Sequence, residues 1–129
     1  MPIARSVATD QAPAAIGPYS QAVIAGGFVF VSGQIPLDPA TGEIVGDSIR
    51  PQTERVMDNL SAVLAAAGSG LDRAVKAEVF LKDINDFAVL NEVFSERFTG
   101  DPLPARQAIE AARLPKDVLV EISCIAICG

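Results

Sequence analysis

Hydrophobic and polar positions change period several times along this chain, and each change predicts an element. The short apolar run Ala22–Ala25, the glycine pair Gly26-Gly27 and the β-rich run from Phe28 to Gly33 predict two strands joined as a hairpin. Pro36 to Gly42 is turn chemistry, because proline fixes φ and glycine admits positive φ. Val56, Met57, Leu60, Val63, Leu64 and Ala67 then recur at helical spacing, a stripe of the kind that forms core rather than a ligand groove. Pro51 suits the first turn of that helix, where its missing N–H goes unused. Asp47 or Ser48 can cap the helix and Gly68 can end it.

Between Ala74 and Lys82 the period drops to two, with Val75, Ala77, Val79 and Leu81 on one face and Lys76, Glu78 and Lys82 on the other. A second helix is expected from about Asn85 to Phe98, its apolar stripe formed by Phe87, Leu90, Phe94 and Phe98. Arg106–Ala112 and Val118–Ile127 close the chain as two strands. The order strand, strand, helix, strand, helix, strand, strand predicts an α+β fold with a single sheet and two helices packed on one face. The opposite face then carries apolar residues that nothing in the same chain covers, which predicts self-association. With no repeat, low-complexity tract or linker, residues 1–129 are expected to form a single domain.

Composition narrows the chemistry. Hydrophobic residues make up 50% of the chain, yet there are six Phe, one Tyr and no Trp, so Val, Ile, Leu and Ala must build the core. A net charge of −6 without any run of Lys or Arg argues against a nucleic-acid partner. No apolar run approaches the ~20 residues that span a bilayer, and the N-terminus shows no secretory signal, so no membrane partner and a cytoplasmic location are expected. Cys124 and Cys128 lie four residues apart in an apparent strand, beyond disulfide reach, and are expected as reduced, buried thiols. With no histidine and no cysteine cluster, the chemistry expected needs neither metal nor cofactor.

A few residues break the pattern. Glu121 sits in the middle of Val118–Ile127, which is apolar on both faces and reads as a strand buried on both sides. An ionised carboxylate without a partner there would cost several kcal/mol, so it must be paired, protonated or facing a polar cavity. Arg106 follows the rigid turn Asp101-Pro102-Leu103-Pro104 and starts a strand expected to lie antiparallel to the last one. A buried guanidinium there either neutralises Glu121 or takes an anion, since its planar fork offers two parallel N–H bonds to a carboxylate or phosphate. Asn91 falls within the helical arc of Phe87, Phe94 and Phe98, so its amide faces the buried side and meets either a strand-end carbonyl or a ligand. Tyr19, the only tyrosine, follows a Gly17-Pro18 bend, and the Ser32-Gly33 step is either a plain turn or a set of backbone N–H groups facing an anion.

Several of these residues lie in segments with a family character: Ala12-Pro13-Ala14-Ala15-Ile16-Gly17-Pro18-Tyr19-Ser20-Gln21, Ser32-Gly33-Gln34-Ile35-Pro36, Val79-Phe80-Leu81-Lys82-Asp83, Pro104-Ala105-Arg106, and Ala112-Arg113-Leu114-Pro115-Lys116-Asp117-Val118 followed by Glu121. Through them the chain resembles the RidA (YjgF) family of enamine/imine deaminases over nearly its whole length. The resemblance implies a chorismate-mutase-like α+β fold, assembled as a homotrimer with sheets facing inward and active sites between subunits. It implies hydrolysis of 2-iminobutanoate or 2-iminopropanoate to 2-keto acids and ammonia. By this likeness Arg106 binds the substrate carboxylate, Glu121 positions or activates water, and Tyr19, Ser32, Gly33 and Asn91 line the site. Some deaminases of the family carry a cysteine two residues after the arginine; Ala108 stands there in this chain, leaving a backbone carbonyl and Glu121 to hold the water. A non-catalytic trimeric module that binds 2-keto acids would use the same cleft. RNA cleavage, also attached to the family, fits poorly with a net charge of −6 and no histidine.

Overall fold

A computed structural model describes residues 3–129 of the chain. The strand β1 (Arg5–Val7), at three residues too short to show a period in the sequence, pairs antiparallel with β2 (Ala22–Ala25). Gly26 and Gly27 take φ of 60° and 83°, values that residues with a side chain seldom adopt, and turn β2 onto β3 (Phe28–Gln34) as the predicted hairpin. The helix α1 (Ile49–Ala66) follows, with Ser48 at its N-cap in extended conformation but making no side-chain capping bond. Its predicted stripe is core: Val56, Met57, Leu60, Val63 and Leu64 are all fully buried.

Next come β4 (Ala74–Leu81), a short helical turn, α2 (Phe87–Arg97), β5 (Ala105–Glu110) and β6 (Val120–Ile127). Among the described residues six strands form one sheet in the order β1-β2-β3-β6-β4-β5, antiparallel throughout except for the parallel pair β4 and β5. Here the structure departs from the sequence expectation, which places the strand of Arg106 beside the last one. The unit β4-α2-β5 is a crossover: α2 carries the chain back over the sheet, so β5 emerges parallel to β4 and at the outer edge. β6 instead enters between β3 and β4.

Both helices pack on the same sheet face, where Val29, Ala77, Val79, Leu81, Val120, Ile122 and Ala126 are fully buried. Two expectations fail here for geometric reasons. The register of β4 against β6 shifts between Ala74 and Lys76, which takes Val75 out of the buried row and leaves it 36% exposed. β6, apolar on both faces, is buried on one alone: Glu121, Ser123 and Ile125 are half-buried and Ile127 is exposed. The open face also presents Phe28, Phe30 and Ile109, each more than two-fifths exposed. Cys124 is buried, and burial pushes its thiol pKa up to about 12. Cys128 is half-buried rather than buried, its thiol donating to the Ala67 carbonyl at 2.9 Å. No helix among the described residues is long and apolar enough to cross a membrane.

The Thr53 hydroxyl on α1 is fully buried and finds no hydrogen-bond partner among the described residues. Replacing it with the isosteric valine removes that desolvated group without opening a cavity. Thr53→Val is expected to raise stability by about 1 kcal/mol, seen as a rise of about 3–5 °C in Tm by calorimetry.

Candidate functional site

Arg106 occupies the edge strand β5, and its cross-strand partner is Ala77. Ala77 is fully buried in the same row as Val79 and Leu81, so Arg106 projects on the helix-covered face of the sheet. There it meets α2. Its Nη1 donates to Oδ1 of Asn91 at 2.7 Å, and its guanidinium carbon lies 4.7 Å from the ring centroid of Phe94 and 5.2 Å from that of Phe87. The side chain is exposed, not buried as the sequence suggests, because among the described residues no strand lies beyond β5. Asn91 is likewise exposed on the flank of its helix, and what it meets is this guanidinium rather than a strand-end carbonyl.

Arg50, Arg97 and Arg113 each sit on a carboxylate, at 2.6, 2.6 and 2.9 Å. Among the described residues no carboxylate comes within 4.0 Å of Arg106. A cavity of about 460 Å³ opens beside it, walled by Phe94, Phe98, Leu103 and Pro104. Ala108, two residues along β5, pairs with Val79 and is half-buried on the same face.

Glu121 pairs with Phe80, which alternates with Val79 and Leu81, so its side chain emerges on the open face. Its carboxyl lies against Gly33: a β-carbon built there would sit 2.9 Å from the Glu121 Cδ, so the close approach needs glycine. The register of β3 on β6 slips between Val31 and Gln34, at the Ser32-Gly33 step. Burial raises the Glu121 pKa above the ordinary carboxylate value. Ser32 is occupied structurally, its Oγ donating to the Ser20 carbonyl at 2.6 Å and its N–H to the Gln21 carbonyl at 3.0 Å. These bonds tie β3 to the bend that carries Tyr19. Tyr19 is 55% exposed and shares with Gly33, Ile16, Ile35 and Pro115 a second cavity of about 330 Å³.

Arg106 and Glu121 therefore lie on opposite faces of one sheet, with β4 between their strands. The ion pair that the sequence allows does not form. Arg106, Asn91 and Ala108 gather at one edge, whereas Tyr19, Gly33 and Glu121 gather around the end of β3, with Ser32 as their anchor.

Two contributions go unread in the sequence. Phe87 and Phe94 serve as the seat of Arg106 as well as core, a role signalled by their spacing of i, i+4 and i+7 with Asn91. Lys116 lines the Tyr19 cavity from a backbone at φ 55°, followed by Asp117 at φ 57°. Side chains other than glycine seldom take such values, so nothing in the sequence marks that kink. Asp117 is held by Arg113, which lowers its pKa.

Fold and site together define a single-sheet α+β protein that seats an unneutralised arginine on one face and a desolvated carboxylate on the other. The family model described as Endoribonuclease L-PSP matches residues 9–128, and the chain belongs to that family, which takes in the YjgF, RutC and RidA proteins. A RutC family protein of Pyrococcus abyssi is 58% identical over 118 residues, covering 92% of each chain. The 2-iminobutanoate/2-iminopropanoate deaminase of Escherichia coli is 46% identical over 97% of this chain and 98% of its own. The crystal structure of E. coli TdcF with bound serine superposes with a TM-score of 0.89 at 42% identity, covering 97% of this chain and 99% of that one.

Proposed function

We propose that this protein is a cytoplasmic 2-iminobutanoate/2-iminopropanoate deaminase, acting as a homotrimer with each active site built from two subunits and needing neither metal nor cofactor. The observation that carries the reading is Arg106: a guanidinium oriented by two rings and an amide, beside a cavity, with no carboxylate of its own. Such a fork suits the carboxylate of a small 2-imino acid. A 2-imino acid carries its nitrogen on the carbon next to the carboxylate, as does the serine bound to TdcF.

The reaction balances with water alone. Water adds to the imine carbon, giving a carbinolamine; a proton passes from the added oxygen to nitrogen; the C–N bond breaks, and ammonia leaves a 2-keto acid. Arg106 holds the substrate so that the attack is oriented. Glu121, with the Ala108 backbone carbonyl, positions the water, and Glu121 carries the proton. Tyr19, Gly33 and Asn91 line the cleft and Ser32 braces it. Because Arg106 and Glu121 emerge on opposite faces, one chain cannot bring both to one imino acid, and the apolar open face supports their meeting across an interface. RNA cleavage is the weaker reading, given a net charge of −6 and no histidine.

Subunit mixing tests this. Arg106→Ala and Glu121→Gln should each keep only a small residual rate on imines generated in place from serine or threonine by a dehydratase. Over a randomly assembled 1:1 mixture about a quarter of all sites, one in each mixed trimer, should combine an intact arginine from one chain with an intact acid from another. Activity should then return. Verified mixed assemblies that stay silent would rule out the shared site, and binding of 2-ketobutyrate without turnover in the parent protein would make it a metabolite-binding module instead.

The raised pKa of Glu121 sets a direction for pH dependence. A reaction that needs the carboxylate is lost as pH falls through that pKa, so the acid limb of kcat against pH should lie above the usual carboxylate range. The limb should be missing from the residual rate of Glu121→Gln.

A further inference from the structure

We propose that Asn91 is a positioning residue, whose neutral amide oxygen fixes the orientation of the Arg106 guanidinium while leaving its charge free for the substrate. The inference rests on the reading that Arg106 takes the substrate carboxylate.

Phe87, Asn91 and Phe94 share one stripe of α2. Contact with two rings restrains the guanidinium but leaves it free to turn in its own plane. The hydrogen bond from Nη1 to Asn91 Oδ1, at 2.7 Å, removes that freedom. Nε and Nη2 keep their N–H groups, with no acceptor among the described residues. A bidentate partner needs two N–H bonds aimed in parallel, so a guanidinium whose rotation is already fixed loses less entropy on binding.

The neutrality of the acceptor matters as much as its place. A carboxylate at position 91 would accept the same bond and also cancel the charge, as happens to Arg50, Arg97 and Arg113. The acids farther along α2 are drawn elsewhere: Glu92 accepts from Arg50 at 2.6 Å and Glu96 lies 3.6 Å from the same arginine. On β5, Glu110 accepts from the Ile84 N–H at 3.0 Å. The surroundings thus leave Arg106 with an amide where a competing anion could stand.

Asn91→Asp and Asn91→Leu separate orientation from charge. Both full-length variants should bind 2-ketobutyrate about tenfold or more weakly, read by calorimetry, with KM for the imine rising further than kcat falls. Asn91→Asp keeps the hydrogen bond and gains an ion pair, so its Tm should match or exceed the parent while its affinity drops. A merely structural amide would make affinity follow stability instead. Asn91→Asp binding the keto acid as the parent does would overturn the proposal. Arg106→Ala, run alongside, distinguishes the two levels: if it binds normally, the carboxylate reading itself fails. If Arg106→Ala loses binding while both Asn91 variants behave like the parent, only the positioning role falls.

Discussion

Arg106→Ala is expected to lower kcat/KM for 2-iminobutanoate by about 100-fold or more while leaving the fold in place. The side chain is exposed at a sheet edge, and its removal opens no core cavity. What the fold loses is a cation over two rings and one hydrogen bond, which should change stability by about 1 kcal/mol. Arg106→Lys should recover little. An ammonium keeps the charge but neither stacks as a plane nor presents two parallel donors. A dehydratase-coupled assay of keto-acid release, together with thermal denaturation, checks both halves. Unchanged turnover in Arg106→Ala would remove this residue from the reaction.

A charge placed on the open face should be just as damaging, from far outside either cavity. Phe30 is 43% exposed in the single chain, among Phe28, Ile125 and Ile127. As a surface substitution Phe30→Asp should scarcely disturb the core of an isolated subunit. Across an interface, the same carboxylate would have to be desolvated against apolar neighbours. The variant is expected to sediment as a monomer and to lose imine hydrolysis, although Arg106, Asn91, Gly33 and Glu121 are all intact. A folded monomer with full activity would show that one chain suffices, contrary to a site shared between subunits.

The raised pKa of Glu121 and the free charge of Arg106 belong together physically. Each is an ionisable group that no charged side chain among the described residues neutralises. Gly33 is the local condition for the first, since any β-carbon there would press on the Glu121 carboxyl. The stripe Phe87, Asn91 and Phe94 is the local condition for the second.

Periodicity alone determined much of this protein. The hairpin at Gly26-Gly27, the buried stripe of α1, the alternation of β4 from Lys76 onward and the placing of both helices on one face follow from where apolar side chains must go. The candidate site residues were legible too: Arg106, Glu121 and Asn91 stand out because charge and polarity interrupt apolar runs, and short motifs carry the family likeness. Strand neighbours were not legible. Whether β5 lies beside β6 or beyond β4 depends on the path of the α2 crossover, and no local pattern encodes it. The same choice exposed Arg106 and set it on the face opposite Glu121. Single-residue register shifts, such as those that expose Val75 and place Gly33 against Glu121, also arise only when strands pair. Local sequence governs which face of an element is apolar; which elements meet, and therefore which polar groups stay unneutralised, is decided by long-range packing.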